Sequence, residues 1–179
     1  MISITKNTLL EHFANPAKTP IPALDKESPA NLKSASVLIP IVDEKELLVL
    51  FTQRTDHLQH HAGQISFPGG SMEKTDQDLA ETVLREVHEE IGLAKETITL
   101  LDSLTPVISV SGFLVTPFVG LVQPPLKLTI NPQEVAAIFT APLNFVLDPN
   151  NQKTELYNWN NTQRETYVIQ YEEHRIWGL

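Results

Sequence analysis

Three glutamates crowd one segment of the chain, Arg85-Glu86-Val87-His88-Glu89-Glu90-Ile91-Gly92. At about 100° per residue along a helix, Glu89 and Glu90 lie on either side of Glu86, so the three carboxylates share one narrow face. Carboxylates this close repel one another and destabilise a helix unless something compensates. Hard oxygen ligands at this spacing suit Mg²⁺ or Mn²⁺, which prefer carboxylates, waters and substrate phosphates.

The same face also fits a simpler interpretation, a solvated helix surface on which Arg85 pairs with Glu81 or Glu89 one turn away. The upstream pair Gly69-Gly70 favours the metal site. A glycine turn that leads into the helix can bring a backbone carbonyl close to an ion where a side chain would obstruct it.

The helix that carries this face is predicted over residues 76–91, with Thr75 as its N-cap, Asp78 at the third helical position and Gly92 at its end. Its neighbouring face is apolar and would anchor it to a sheet; the residues are Leu79, Val83, Leu84, Val87 and Ile91. Two apolar runs, 37–42 and 47–51, predict a β-hairpin that is buried on both faces.

Shorter signals predict the remaining elements. One is a helix over 8–13, capped by Asn7 or Thr5. Strands are predicted at 64–67 (ending in a Pro68-Gly69-Gly70 turn), 97–101, 105–110, 114–122 and 134–139. A second helix is predicted to start over 141–147, and the aromatic tail is predicted to form a closing hairpin. Prolines keep much of the chain before this region extended. We therefore predict one α+β domain over 35–179, preceded by an N-terminal helix and Pro-rich approach segment over 1–34.

Composition narrows the class of protein. The chain has 179 residues, no cysteine, and a net charge of −9 from 13 Lys+Arg and 22 Asp+Glu. These numbers suit one domain without disulfides or thiolate chemistry and argue against nucleic acid as a partner. No apolar run is long enough to cross a bilayer and no signal peptide is visible, so we expect no membrane partner and a cytoplasmic protein.

The stretch from Gly70 to Leu93 resembles the Nudix box, G-x5-E-x7-R-E-U-x-E-E-x-G-U, in which U is apolar. Its second half matches at every defined position, from Arg85 to Leu93. Its first half departs, because Gln77 stands eight residues before Arg85 and the glycine position falls on Ser71. The loop is therefore one residue longer than the general pattern, with Gly70 displaced by one.

The residues upstream resemble the signature of the coenzyme A diphosphatase subfamily, L-L-T-x-R-[SA]-x3-R-x3-G-x3-F-P-G-G, over 50–70. The spacing agrees throughout, and three positions differ: Phe51, Thr55 and Gln59, the last in place of an arginine. Further resemblance lies in 109–117, in Glu134-Val135 and in 176–178. The chain ends at Leu179, where the relatives continue into a further helix, so a short member or a trimmed chain is expected.

The resemblance implies a Nudix-type α/β/α sandwich with a mixed central sheet, and hydrolysis of a diphosphate bond with Mg²⁺ or Mn²⁺. Glu86 and Glu90 are the implied primary metal ligands, with Glu89 and the Gly70 carbonyl as further ligands. Arg85 would orient the carboxylates and pair with Asp78 or Glu81 in place of the missing glutamate. Glu134 is either an additional ligand or general base, with Glu89 as the other candidate base, or a solvated loop carboxylate.

Substrate-binding residues are implied at Arg54, Gln59, His61, Gly63 and Phe67. Arg54 is the best candidate for a phosphate contact, against a simple strand-end arginine. Gln59 lacks the charge that an arginine would bring to a phosphate. Histidines 57, 60 and 88 are expected to face solvent, and the rings of Phe67, Trp159, Tyr171 and Trp177 to lie in the core.

Three functions stay open. The first is hydrolysis of coenzyme A or acyl-coenzyme A to 3′,5′-ADP and (acyl-)4′-phosphopantetheine. The second is the same chemistry on another nucleoside diphosphate derivative, such as ADP-ribose or NADH, and Gln59 makes it credible. The third is a Nudix-like ligand-binding module without catalysis, against which the retained glutamates argue. A monomer or a homodimer is expected.

Overall fold

Strand β1 (Lys33–Val42) lies at the centre of the larger of two sheets in the structure, a computed structural model that describes residues 4–14, 32–58, 61–109, 111–159 and 162–178. It pairs antiparallel with β2 (Leu48–Arg54), which confirms the predicted hairpin. It also pairs in parallel with the distant β7 (Phe113–Val122) along its whole length. The sheet is therefore mixed, as predicted.

Five shorter or peripheral strands complete this sheet: β3 (Ile65–Ser66), β4 (Gly69–Ser71), β5 (Ile98–Ser103), β6 (Val107–Ile108) and β8 (Val135–Pro142). The order is β3-β2-β1-β7-β5, with β4 on β1, β6 on β7 and β8 on β2. Because β8 pairs with β2 up to Pro142 opposite Leu48, it runs longer than predicted and shortens the following helix, α3, to Leu143–Val146.

The tail forms a second sheet of three strands, β9 (Gln152–Trp159), β10 (Thr162–Tyr171) and β11 (His174–Trp177), in the order β11-β10-β9. The predicted closing hairpin is therefore incomplete, because a second reversal adds β11. That reversal places Glu172 in the left-handed region, with φ of 51°.

Helix α2 (Leu79–Ile91) begins three residues later than predicted. Asp78, and not Thr75, is its N-cap: it is extended, and its Oδ1 accepts a hydrogen bond from the Glu81 N–H at 2.8 Å. The helix ends as predicted at Gly92, whose φ of 68° is a left-handed conformation that glycine adopts without strain.

Apolar residues cover both faces of the main sheet. Helix α2 packs on one face, where Val83, Val87 and Ile91 are fully buried against Leu38 and Val122, among others. The other face is covered by α1 (Lys6–Ala14), by α3 and by residues of the second sheet. These are the three layers of the predicted α/β/α sandwich.

Alternation along the strands explains why both faces are covered. In β2, Leu50 faces the α2 layer while Val49 and Phe51 face the opposite layer. The N-terminal helix is tied to α3 by the Ile4 N–H, which donates to Asn144 Oδ1 at 2.8 Å. Among the described helices, none has both the length and the apolar character that a membrane crossing requires.

Candidate active site

The glycine pair is strand, not the turn predicted from sequence, and it lies directly against the helix. Gly70 is opposite Ser36 in the β1–β4 ladder. A Cβ atom built on Gly70 would be 2.5 Å from the carboxyl carbon of Glu86. Glycine therefore lets that carboxylate lie against the backbone of β4, and a larger residue here would force it to move.

Glu90 is the most buried carboxylate of the group, with only 3% of its surface exposed. Its Oε2 accepts a hydrogen bond from the Gly69 N–H at 3.1 Å, and its Oε1 is 3.9 Å from Nη1 of Arg54. Burial raises the pKa of Glu90 to about 7, and the negative charges of Glu134 and Glu86 act in the same direction. The Gly69 hydrogen bond and the Arg54 charge oppose that rise without cancelling it.

Glu86 lies one turn before Glu90 and is half-buried. Its Oε1 accepts a hydrogen bond from Nη1 of Arg85 at 3.0 Å. Burial raises the pKa of the Glu86 carboxyl, which Glu89 and Glu134 reinforce and Arg85 opposes. Two neighbouring carboxyls thus both resist ionisation in the folded protein.

Glu134 approaches the helix from a different part of the chain. The Asn131 N–H donates to the carbonyl of Glu90 at 2.9 Å, and Asn131 Nδ2 donates to Oε1 of Glu134 at 3.1 Å. The Thr55 N–H donates to the Glu134 carbonyl at 3.0 Å. The end of α2, the end of β2 and the start of β8 therefore meet at one point, with the Glu134 carboxylate among them.

Arg85 connects the carboxylates to the preceding loop. Its Nε and Nη2 donate to the two carboxylate oxygens of Asp76 at 2.9 Å each, and its Nη1 also reaches Glu89 at 3.1 Å. The expected partners of Arg85 were wrong: Asp78 caps the helix, and Glu81 accepts from the Gln77 N–H. The Arg85 guanidinium holds the pKa of Asp76 well below its usual range.

Asp76 is the residue that sequence reasoning missed. Counting back from Arg85 reaches Gln77, but counting forward from Gly70 gives G-x5-D with Asp76 at the acidic position. The extra residue therefore lies between Asp76 and Arg85, and an aspartate takes the position of the glutamate in the general pattern. The displacement of Gly70 was the signal that could have located it.

The other expected site residues are less closely grouped. The side chain of Glu89 is 52% exposed, and its Oε2 accepts a hydrogen bond from Nη1 of Arg85. His61 is exposed, and its Nδ1 lies 2.9 Å from Oε1 of Gln64. A Cβ atom built on Gly63 would be 2.7 Å from Oδ1 of Asp56. Gln59 and His60 lie outside the described residues.

Three of the aromatic residues that were expected in the core contact other aromatic rings. The ring of Phe67 stacks on that of Phe51 at 5.1 Å between centroids, within the core layer opposite α2. Tyr171 packs edge-on against Phe145 at 5.0 Å, and the ring of Trp177 lies 6.2 Å from that of Tyr157. The side chain of Trp159 lies outside the described part of the chain. His57 and His88 are exposed, and His57 contacts the Gln133 carbonyl at 3.1 Å.

The donor set fits a divalent cation, although its side chains are not arranged for one as they stand. Within the described ranges, no three histidine, aspartate or glutamate side chains form a ready ion-binding group. Arg85 holds the carboxylate of Glu86, and Gly69 and Arg54 hold that of Glu90. Burial and repulsion from neighbouring carboxylates disfavour the ionised forms of Glu86 and Glu90. A bound cation would stabilise these ionised forms through their carboxylate oxygens.

Comparisons with known proteins place the chain among similar sequences. The family described as NUDIX domain matches residues 32–164. The chain is 37% identical over 170 residues to the "Uncharacterized Nudix hydrolase NudL" of Photorhabdus laumondii, which covers 95% of this chain and 91% of that protein. The protein of the same name from Salmonella paratyphi B is 36% identical over 176 residues, 98% of this chain and 91% of that protein.

Two solved structures share the fold. The Nudix hydrolase RenU of M. smegmatis superposes with a TM-score of 0.54 at 21% identity, covering 65% of this chain and 74% of that one. An Ap4A hydrolase from C. elegans, solved as a binary complex, superposes with a TM-score of 0.53 at 17% identity, covering 62% and 80%. At these identities the likeness bears on the fold alone.

Proposed function

The chain belongs to the Nudix family and is a Nudix hydrolase, and from this premise we propose that its substrate is coenzyme A or an acyl-coenzyme A. Water would add to one phosphorus of the diphosphate while the bond from that phosphorus to the bridging oxygen breaks. The products are two phosphate monoesters, 3′,5′-ADP and (acyl-)4′-phosphopantetheine.

The proposal rests on the proximity of Arg54 to Glu90: Nη1 of Arg54 is 3.9 Å from Oε1 of Glu90, whose Oε2 accepts a hydrogen bond from the Gly69 N–H. Arg54 and Gly69 belong to the upstream segment that resembles the coenzyme A diphosphatase signature, and Glu90 belongs to the helix of the Nudix box. The two motifs contribute to one site, which is the arrangement that a signature for a particular substrate would need.

Nudix hydrolases generally depend on divalent cations, and we propose Mg²⁺ or Mn²⁺ here. When bound, such an ion screens the phosphate charges and lowers the pKa of a coordinated water. Glu86 and Glu90 would hold it, with the Gly70 carbonyl beside them and Glu89 as a further ligand. Arg85, fixed by Asp76, positions the carboxylates of Glu86 and Glu89.

Glu134 is proposed as the general base, or as an additional ligand. Its Oε1 is anchored by Asn131 and its backbone by Thr55, and its charge acts on both Glu86 and Glu90. Glu89, the other candidate, is occupied by Arg85 at the edge of the cluster. A base must lie within reach of the attacking water, which favours the carboxylate held inside the cluster.

Arg54 is proposed to bind a substrate phosphate. It lies at the end of β2, mostly buried, and its Nε finds no acceptor among the described residues. A buried donor without a partner is costly. A phosphate that accepts two parallel hydrogen bonds from the guanidinium would remove that cost.

A product assay separates this substrate from its alternatives. The protein is incubated with coenzyme A, ADP-ribose and NADH in turn, each with Mg²⁺, with Mn²⁺ or with EDTA, and the products are identified by chromatography and mass. We expect metal-dependent 3′,5′-ADP and 4′-phosphopantetheine from coenzyme A. Release of AMP from ADP-ribose or NADH, with coenzyme A left intact, would support the hydrolase activity but contradict coenzyme A as the substrate.

A further inference from the structure

A shallow pocket of about 340 Å³ opens beside the carboxylate cluster, between the start of β1 and the loop that follows β4. Its lining residues are Lys33, Ser34, Ser71, Met72, Glu73 and Lys74. None of their side chains has an assigned role in the proposed hydrolysis.

Two cations flank this pocket in a strongly acidic protein. Lys33 and Lys74 are both exposed, and neither forms an ion pair with a carboxylate in the described part of the chain. Glu73 is the one carboxylate in the lining, and its backbone N–H donates to Oδ2 of Asp76 at 2.8 Å. The lining thus carries more positive than negative charge, although the whole chain has a net charge of −9.

The pocket is joined to the carboxylate cluster by short connections. The Met72 N–H donates to the Ser34 carbonyl at 2.9 Å, which fixes the loop to β1. Nη2 of Arg85 donates to the carbonyl of Ser71 at 3.2 Å, while Nη1 of the same guanidinium contacts Glu86. One arginine therefore spans from the pocket wall to the carboxylates of the proposed metal site.

We propose that this pocket binds the 3′-phosphate monoester of a nucleoside 3′,5′-bisphosphate, with Lys33 and Lys74 supplying its positive charge. The inference rests on the proposed function and specifies how the substrate would be chosen. Coenzyme A carries a diphosphate and a phosphate monoester on the same ribose, so a site for it needs a cationic position next to the hydrolytic one. ADP-ribose and NADH lack that monoester and would gain nothing from the pocket.

Binding of the adenosine products tests the pocket without any turnover. Dissociation constants for 3′,5′-ADP and for 5′-AMP are measured calorimetrically with Mg²⁺ present, on the wild type, the Lys33→Ala/Lys74→Ala double variant and Lys45→Ala. Lys45 is an exposed lysine beyond the other end of β1 and serves as the matched control. We expect the wild type to bind 3′,5′-ADP about tenfold or more tighter than 5′-AMP, the ratio that one charge-assisted hydrogen bond supplies.

The double variant should lose this preference while its affinity for 5′-AMP stays unchanged, and Lys45→Ala should keep it. A Glu73→Gln variant should strengthen the preference, because it removes the opposing charge from the lining. Equal wild-type affinities for the two nucleotides, or a preference that survives in the double variant, would overturn the pocket.

The same preparations, assayed with coenzyme A, distinguish this inference from the proposed function. A wild type that leaves coenzyme A intact, yet shows a lysine-dependent preference for 3′,5′-ADP, would keep the pocket and overturn the hydrolysis. A double variant that cleaves coenzyme A with unchanged KM would keep the hydrolysis and overturn the pocket.

Discussion

Arg85 and Asp76 are joined by two parallel hydrogen bonds of 2.9 Å each, across nine residues of sequence. This pair ties the loop before α2 to the middle of the helix. It leaves Nη1 of the same guanidinium free to contact Glu86 and Glu89. The orientation of the carboxylate cluster therefore depends on an aspartate that does not itself belong to the cluster.

An Asp76→Asn variant should lower kcat by about 10- to 100-fold, the usual effect of losing a group that orients metal ligands. The amide can accept at only one atom, so Arg85 loses its two-point anchor and Glu86 its fixed position. Steady-state kinetics with coenzyme A, together with a thermal unfolding curve, would measure the effect. The matched control is Asp78→Asn, which keeps a helix cap and should change kcat little. Equal activities of the two variants would contradict the assigned partner.

A Gly70→Ala variant should lower kcat by about 10- to 100-fold while the protein stays folded. The new methyl group would overlap the Glu86 carboxylate, which must move, and displacements of about 1 Å at an active site cost rates of this size. The matched variant is Gly112→Ala, where a Cβ meets nothing within 4 Å although φ is +83°. That variant should lose stability and keep kcat. An active Gly70→Ala enzyme would show that the contact with Glu86 has no part in catalysis.

The ion-free protein should lose stability as pH rises from about 5 to 8. The folded Glu90 keeps its proton up to its pKa of about 7, whereas an unfolded glutamate releases it near 4.5. Between these values the folded state binds more protons, so its stability falls as pH rises, by on the order of 2–3 kcal/mol. Urea unfolding in EDTA at several pH values would measure the slope.

Two comparisons test whether the titration of Glu90 causes this slope. Glu90→Gln should reduce the slope and leave only the part that comes from the raised pKa of Glu86. Mg²⁺ should raise stability more at pH 8 than at pH 5, because the ion binds ionised carboxylates. The exposed Glu96→Gln should leave the slope as it is. A slope that is undiminished in Glu90→Gln would assign it to another group.

The two candidate bases should differ in their kinetic effect. Glu134→Gln should lower kcat by about 10²- to 10⁴-fold, the range for a general base, while the affinity for Mg²⁺ changes little. Glu89→Gln should lower kcat less, since its carboxylate is held at the edge of the cluster by Arg85. The reverse order of effects would make Glu89 the base.

Local periodicity was enough to predict the features that depend on neighbours in sequence. The spacing of Glu86 and Glu90 on one helix face, the end of α2 at Gly92 and the doubly buried β1–β2 hairpin follow from helical and strand repeats. The mixed sheet and the Nudix fold followed from the resemblance and are confirmed.

Contacts across the chain explain what sequence reasoning missed. Gly69 and Gly70 were predicted as part of a turn but pair with β1 and are therefore strand. Asp76 reaches Arg85 only because the loop between them folds back onto the helix. The approach of Glu134 to Glu90 depends on Asn131, a residue with no periodic signal. A one-residue insertion also hid Asp76, because the motif was counted from the arginine alone.

The most direct test of the account is the release of 3′,5′-ADP from coenzyme A by the wild type and by Glu90→Gln, each with Mg²⁺ and with EDTA. We predict product from the wild type with Mg²⁺ only, and a rate at least about 100-fold lower from Glu90→Gln. Undiminished hydrolysis by folded Glu90→Gln, or hydrolysis by the wild type in EDTA, would contradict the carboxylate cluster as the metal-dependent centre of a coenzyme A diphosphatase.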